Sequence, residues 1–238
     1  MTTTPIRLLT VLPLVLAPAV MGAALLTDIT PQAADTKELL ELIARDPGAW
    51  SMGQTLFFLS ALLWVPAGLL LRRLFGREQR LGRAAGVAVT VGGLAVLPVD
   101  AAGLYLRELA ASDIPIDQQV QLVEGVESSP AVLLFETVHI AGLFLGLLVV
   151  GAAMLRHPAL PRAAGALVLT GTIALVAAPA GPLLAGATAL LVAGFAITAL
   201  RISRQAHYGL IEHPHARDNA STTTEGSMRS GSNQPIDR

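Results

Sequence analysis

Six long apolar segments constrain this chain more than any other feature of its sequence. A helix that crosses a bilayer needs about 20 consecutive, mostly apolar residues. Hydrophobic residues make up 53% of the 238 residues and charged residues only 14%, with a mean hydropathy of +0.62, which is typical of membrane proteins. The sequence therefore predicts an all-α integral membrane protein of six transmembrane helices. Their segments are residues 6–27, 50–71, 84–106, 131–155, 163–180 and 182–200.

The distribution of arginine predicts how these segments cross the membrane. Arginines collect after the second, fourth and sixth segments, whereas the links after the first and third are rich in aspartate and glutamate. Since basic links stay on the cytoplasmic side, we expect a multi-pass protein of the cytoplasmic (inner) membrane with both termini inside. Lys37 is the only lysine, and this preference for arginine is typical of a GC-rich bacterial genome. The arginines concerned are Arg72, Arg73, Arg77, Arg80, Arg83, Arg156, Arg162, Arg201 and Arg204.

Two regions of different composition divide the chain. Residues 1–211 form the predicted six-helix transmembrane domain, and the polar, aperiodic residues 212–238 are expected to be a disordered cytoplasmic tail. An alternative for the first segment is a cleaved secretory signal, because Arg7 precedes its apolar run. That run is longer than the apolar core of a typical signal peptide, which favours a retained span.

The two acidic links are predicted to contain short amphipathic helices on the outer face. In residues 35–46, Asp35 and Glu38 have the spacing of a capping box, followed by apolar residues at helical intervals. In residues 117–127, apolar and polar positions again alternate with the period of a helix. Such helices lie in the headgroup layer or against the top of a bundle.

An internal similarity links two of the segments. "RAAGVAVTVGGLA" at residues 83–95 and "RAAGALVLTGTIA" at 162–174 align without gaps. One interpretation is that the chain consists of three related hairpins. The other is that helices rich in Ala, Gly, Val and Leu resemble one another by composition alone.

A small group of polar residues interrupts the apolar segments at one depth. At 1.5 Å per residue, Glu136 lies about 9 Å and His139 about 14 Å from the outer end of the fourth segment. Asp100 in the third segment and Gln54 in the second reach the same level. The sequence therefore predicts an outward-facing polar pocket between the third and fourth spans. The pocket residues are Gln54, Asp100, Glu136 and His139, with Tyr105 and Arg107 at the mouth.

Three interpretations of this pocket remain open. Asp100, Glu136 and His139 have the donor types of a divalent metal site, which could activate water for hydrolysis. Alternatively, these groups could bind or transport a small solute, with proton exchange. In the third interpretation they only join helices, with Glu136 hydrogen-bonded to His139 or Asp100. The absence of cysteine excludes disulfides, thiolate zinc sites and iron–sulfur clusters.

The sequence predicts the general class of the function but not its substrate. No nucleotide-binding loop, nucleophile elbow or zinc-protease helix is present, and nothing indicates nucleic acid as a partner. We expect a non-enzymatic membrane protein without a cofactor, whose partners are the lipid bilayer and either a small solute or another membrane protein. The alternatives are a metal-dependent membrane enzyme using Asp100, Glu136 and His139, and a structural or regulatory subunit acting through its outer amphipathic helices.

The predicted orientation can be tested with two reporter fusions. A reporter joined after Gly76 should lie in the cytoplasm, where green fluorescent protein is fluorescent. A reporter joined after Ser112 should lie outside, where alkaline phosphatase is active, because the two links have opposite charge character. Alkaline phosphatase and green fluorescent protein fusions measure both sides. Finding both positions on the same side of the membrane would contradict the six-span arrangement.

Overall fold

Every regular element of the described chain is helical. The structure is a computed structural model that describes residues 4–75, 79–177 and 182–211. The α-helices are α1 (Thr4–Thr27), α2 (Thr36–Arg45), α3 (Pro47–Leu74), α4 (Arg80–Ala110), α5 (Ile116–Glu127), α6 (Pro130–Ile140), α7 (Gly146–Arg156), α8 (Arg162–Ala177) and α9 (Pro182–Ile211). A 3-10 turn at Thr30–Gln32 lies between α1 and α2, and a π-helical turn at Ala141–Leu145 connects α6 directly to α7.

Five helical segments are long and apolar enough to cross a membrane. The predicted fifth segment, 163–180, corresponds to α8, which is apolar but only 16 residues long. Residues 178–181, which contain most of the predicted link after α8, lie outside the described residues, as does the tail at 212–238. The five segments are Val11–Gln32, Pro47–Leu74, Arg80–Ala110, Pro130–Arg156 and Leu183–Arg204.

Local capping explains where α2, α3 and α6 begin. The backbone N–H of Glu38 donates to the Asp35 carboxylate at 2.8 Å, while the Glu38 carboxylate accepts from the N–H of Ala34 at 2.7 Å, which completes the capping box. Asp46 accepts from the backbone of Ala49 at 2.9 Å and so caps α3. Ser129 caps α6 in the same way. The helices α2 and α5 contact each other and follow the C-terminal ends of α1 and α4, at the end of the bundle opposite the arginine-rich helix ends.

The long helices close into a ring. Neighbours in the ring are α1 and α3, α3 and α4, α4 and the α6–π–α7 segment, α7 and α8, α8 and α9, and finally α9 and α1. The Ser60 hydroxyl donates to the carbonyl of Ala17 at 3.1 Å across the α1–α3 contact. Across the ring, the Trp64 and Phe195 rings meet edge to face with centroids 6.1 Å apart. The core therefore lies on the ring axis.

The two similar sequence runs pack in the same way. Gly86 of α4 lies against α3 so closely that a Cβ there would be 2.5 Å from the backbone nitrogen of Arg72. Gly165, its aligned counterpart in α8, lies against α7, where a Cβ would be 2.7 Å from the nitrogen of Leu155. Both runs also bury their aligned alanine, valine and second glycine, which are Ala85/Ala164, Val89/Val168 and Gly92/Gly171.

The helices that follow these runs show a matching correspondence. Gly146 of α7 contacts Val89 as Gly194 of α9 contacts Val168. When α3, the π turn with α7, and α9 are aligned by these glycine contacts, three successive inward positions are buried in all three segments. Those positions are Ser60/Leu143/Leu191, Trp64/Leu147/Phe195 and Ala67/Val150/Thr198.

Replacement of Gly165 by alanine should destabilise the bundle. The new Cβ would meet backbone atoms of α7 at 2.7–3.0 Å, so the helices must separate, at a cost of about 1–3 kcal/mol. Gly186→Ala in α9 is the matched control, since a Cβ there meets nothing within 4 Å, and the better helix propensity of alanine should leave stability equal or raise it by up to about 1 kcal/mol. Thermal unfolding in detergent measures both. Equal stability of the two variants would contradict the close α7–α8 contact.

Candidate functional site

A cavity of about 670 Å³ lies inside the ring, toward the end that carries α2 and α5. Its size is typical of sites that hold small organic molecules. Most of its lining is aliphatic or aromatic, and every long helix except α7 contributes to it. The polar side chains that line it are Gln54, Ser60, Asp100, Tyr105, Glu127, Glu136 and His139.

Contacts between α3 and α4 position Gln54 and Asp100. The Trp50 indole N–H donates to the carbonyl of Gly103 at 2.9 Å, which fixes the start of α3 against α4. One turn later, Gln54 packs on Gly103, where a Cβ would lie 2.5 Å from its Oε1. Gly103 therefore provides the space that Gln54 occupies. Asp100 lies one turn before Gly103 on α4 and is partly buried beside the cavity.

A π-helical turn and a close glycine contact position His139. The sequence predicts one continuous helix at 131–155, but Ala141–Leu145 forms a π turn between α6 and α7. The extra residue of a π turn rotates α6 by about 100° relative to α7, since an α-helix advances 100° per residue. Within this segment Gly142 lies against Ala88 and Gly92 of α4. The consequence is that His139 meets the backbone of α4.

The hydrogen bond of His139 differs from the one expected. Its Nδ1–H donates to the backbone carbonyl of Gly92 at 3.0 Å, so Nδ1 carries a proton and Nε2 is the nitrogen left for other partners. The described residues contain no hydrogen bond from Glu136 to His139 or Asp100, contrary to the structural interpretation that joined them. His139 therefore links α6 to α4 through the backbone, and both carboxylates remain without that partner.

Of the two residues predicted at the mouth, Tyr105 lines the cavity and Arg107 does not. Tyr105 contributes to the lining at its edge but is 74% exposed. Arg107 is not among the lining residues, and its Nε lies 3.9 Å from Oε1 of the adjacent Glu108. In the part of the chain that the structure describes, no arginine forms an ion pair with a cavity carboxylate.

The predicted metal ligands share the cavity without forming a metal site. Asp100, Glu136 and His139 all line it, yet nowhere in the described ranges do three histidine, aspartate or glutamate side chains come close enough together to hold an ion. The donor types are suitable, but their placement here is not that of a three-ligand centre. A metal-dependent reaction stays a prediction from the sequence.

Among the lining residues that the sequence analysis did not predict, two bear directly on the chemistry of the cavity. Glu127 ends α5 and reaches the cavity because α5 folds back over it, which its position in an acidic link did not reveal. Trp64 lies on the ring axis, 1% exposed, and its indole N–H has no hydrogen-bond partner among the described residues. Its place ten residues after Gln54 on a helix, about 15 Å along the axis, assigns it to the inner end of the cavity.

Like charges surround Glu127. Partial burial, together with the carboxylates of Glu136 and Glu124, raises the pKa of Glu127 above its ordinary value. Burial is the largest of these causes because it disfavours the charged form, and the two neighbouring carboxylates add repulsion. The edge of the cavity beside α5 is therefore a region of uncompensated negative charge.

Replacement of Glu127 by glutamine should stabilise the protein at neutral pH and not in acid. Because the folded state holds this proton more tightly than the unfolded chain, the contribution of Glu127 to stability is full below its unfolded pKa of about 4.3 and is lost as pH rises through the folded pKa. Glutamine stays neutral and so avoids the destabilisation that the charged carboxylate causes above its folded pKa. The melting temperature of the variant should therefore exceed that of the wild type at pH 7 and match it near pH 4. An equal gain at both pH values would refute the electrostatic cause.

Comparisons with known proteins identify no relative of this chain. No protein-family model matches it, and neither a curated protein nor a solved structure matches it. Its function is therefore argued from the side chains that line the cavity.

Proposed function

We propose that the chain is a six-span protein of a bacterial cytoplasmic membrane that binds a small, largely apolar solute in the cavity of its helix ring. Both termini lie in the cytoplasm in this proposal, and the cavity opens outward. One observation carries it: Gln54, Asp100, Glu136 and His139, from three separate helices, line a single cavity of about 670 Å³ whose remaining lining is mostly apolar.

The sixth span of the proposal is α8. It packs between α7 and α9 as α4 packs between α3 and the α6–π–α7 segment, with glycines at aligned positions. Because α8 has neighbours and a buried face equivalent to those of α4, we place it in the membrane as α4 is placed. These correspondences also support three related hairpins, α1 with α3, α4 with α7 and α8 with α9, as the unit from which the ring is built.

The outward direction of the cavity follows from the charges at the two ends of the ring. The helix ends with arginines lie opposite α2 and α5, and basic ends stay in the cytoplasm. The amphipathic helices α2 and α5 then belong to the outer surface. The Arg201 Nε, which donates to the carbonyl of Ala159 at 3.3 Å, ties two elements of the arginine-rich end together.

The contacts of α5 favour solute binding over a purely structural role. Leu122 and Val126 of α5 are about half exposed, as expected for a partner-binding surface, but both line the cavity. Val123 between them is buried. The apolar face of α5 is therefore directed to the cavity, which makes α5 a cover for the site.

A pair of phenylalanine substitutions on α4 tests solute binding. The purified protein is screened in detergent against a panel of small apolar and amphiphilic solutes, and a true ligand should raise the stability by about 2.7 kcal/mol at 100 times its Kd. Val99→Phe, which occupies the cavity, should abolish this stabilisation, whereas Val91→Phe on the exposed face of the same helix should retain it.

Two outcomes would contradict the proposal. Stabilisation of Val99→Phe equal to that of the wild type would place the solute outside the cavity. Stoichiometric metal in the purified protein, lost in both Glu136→Gln and His139→Ala, would instead favour the metal-dependent enzyme. The melting temperature of each variant without solute shows whether it is folded.

A further inference from the structure

The cavity contains acidic side chains without basic ones. Asp100, Glu127 and Glu136 line it from α4, α5 and α6, and no lysine or arginine is found among the lining residues of the described chain. His139 is the one lining residue in that part of the chain that can become cationic, and its Nδ1–H already donates to a backbone carbonyl. The lining therefore favours a positive charge on whatever fills it.

Within the described residues, none of the three carboxylates forms an ion pair. The ion pairs within the described residues are Arg45–Glu41 and Arg107–Glu108, both on exposed side chains. Carboxylates brought together without a cation repel one another, and an occupant with a positive charge removes that repulsion. A neutral occupant would leave the repulsion between the carboxylates unchanged, and an anionic occupant would add to it.

The rest of the lining fits an apolar body with aromatic character. Phe57, Trp64, Tyr105 and Phe144 line the cavity, and aromatic faces attract organic cations. Trp64 is a second sign of an occupant, because its buried indole N–H lacks a partner among the described residues. A π system or acceptor group at the inner end of the cavity would satisfy that N–H.

We propose that the ligand of this cavity is an organic cation with a bulky apolar body, such as a hydrophobic amine or a quaternary ammonium compound. The positive group lies beside Glu127 and Glu136, and the apolar body extends between the aromatic side chains toward Trp64. This inference deepens the proposed function and rests on it, since it names the chemical class that the same cavity binds.

Three compounds of similar shape and different charge test the inference. Tetraphenylphosphonium is a cation, triphenylphosphine oxide is neutral and tetraphenylborate is an anion. Binding to the full-length protein in a neutral detergent is measured by isothermal titration calorimetry, with detergent alone as the blank. We expect the cation to bind with at least about tenfold higher affinity than the other two compounds, as expected for one charge interaction near a protein surface.

Glutamine substitutions connect the binding to the named carboxylates. Glu127→Gln and Glu136→Gln should each weaken binding of the cation by about tenfold and reduce its preference over triphenylphosphine oxide. Glu108→Gln is the matched control, because Glu108 lies at the same end of the bundle as the cavity but does not line it, and its affinity should stay within about twofold of wild type. Melting temperatures confirm that each variant is folded.

The possible failures are distinguishable. Equal or tighter binding of triphenylphosphine oxide or tetraphenylborate would overturn the cationic class and leave the proposed cavity function standing. Binding of the cation that is unchanged in both glutamine variants would also overturn it, because the charge would then be recognised elsewhere. If none of the three compounds binds, the cationic class is overturned, while the Val99→Phe and Val91→Phe pair decides separately whether the cavity binds any solute.

Discussion

The approach of α4 to the π turn is the contact on which the rest of the structure depends. A Cβ at Gly92 would lie 2.5 Å from the nitrogen of Leu143, and a Cβ at Gly142 would lie 2.7 Å from the carbonyl oxygen of Ala88. In a bilayer, apolar side chains gain little by leaving lipid, so helices associate through close packing and interhelical hydrogen bonds. This glycine contact provides the packing, and the bond from His139 to Gly92 provides the hydrogen bond. Together they join the two halves of the ring and place α6 beside the cavity.

The same kind of contact recurs around the ring, which explains how a chain poor in polar side chains obtains a defined shape. Glycines 86, 146, 165 and 194 each bring a helix against the backbone or a β-branched side chain of its neighbour. Where three equivalent helices converge, the inward positions differ in size: Trp64 is matched by Leu147 and Phe195. A large indole is accommodated because its counterparts complement it, with Phe195 meeting it edge to face. The cavity begins beyond this layer.

The features that could be predicted from the sequence are those that depend on neighbouring residues in the chain. Apolar length and helix caps are local properties, so five long apolar helices and the capping box at Asp35 and Glu38 could be derived from the sequence. The π turn could not, because it results from the tertiary contact between Gly142 and α4 and has no local signature. Glu127 was missed for a related reason, since only the path of α5 over the cavity brings it to the site.

The scaffold that carries the cavity does not require the carboxylate of Glu136. In the alignment of α3, α7 and α9 by their glycine contacts, Glu136 corresponds to Gly53 and Leu184, or to Gln54 and Ala185 when the extra residue of the π turn is counted. The equivalent helices thus pack in the ring without a carboxylate at this position. Carboxylates at membrane depth are costly, and a fold that can be built without them gains no stability from their presence. Because the scaffold does not explain the Glu136 carboxylate, its position in the lining supports the proposed role of the cavity in binding.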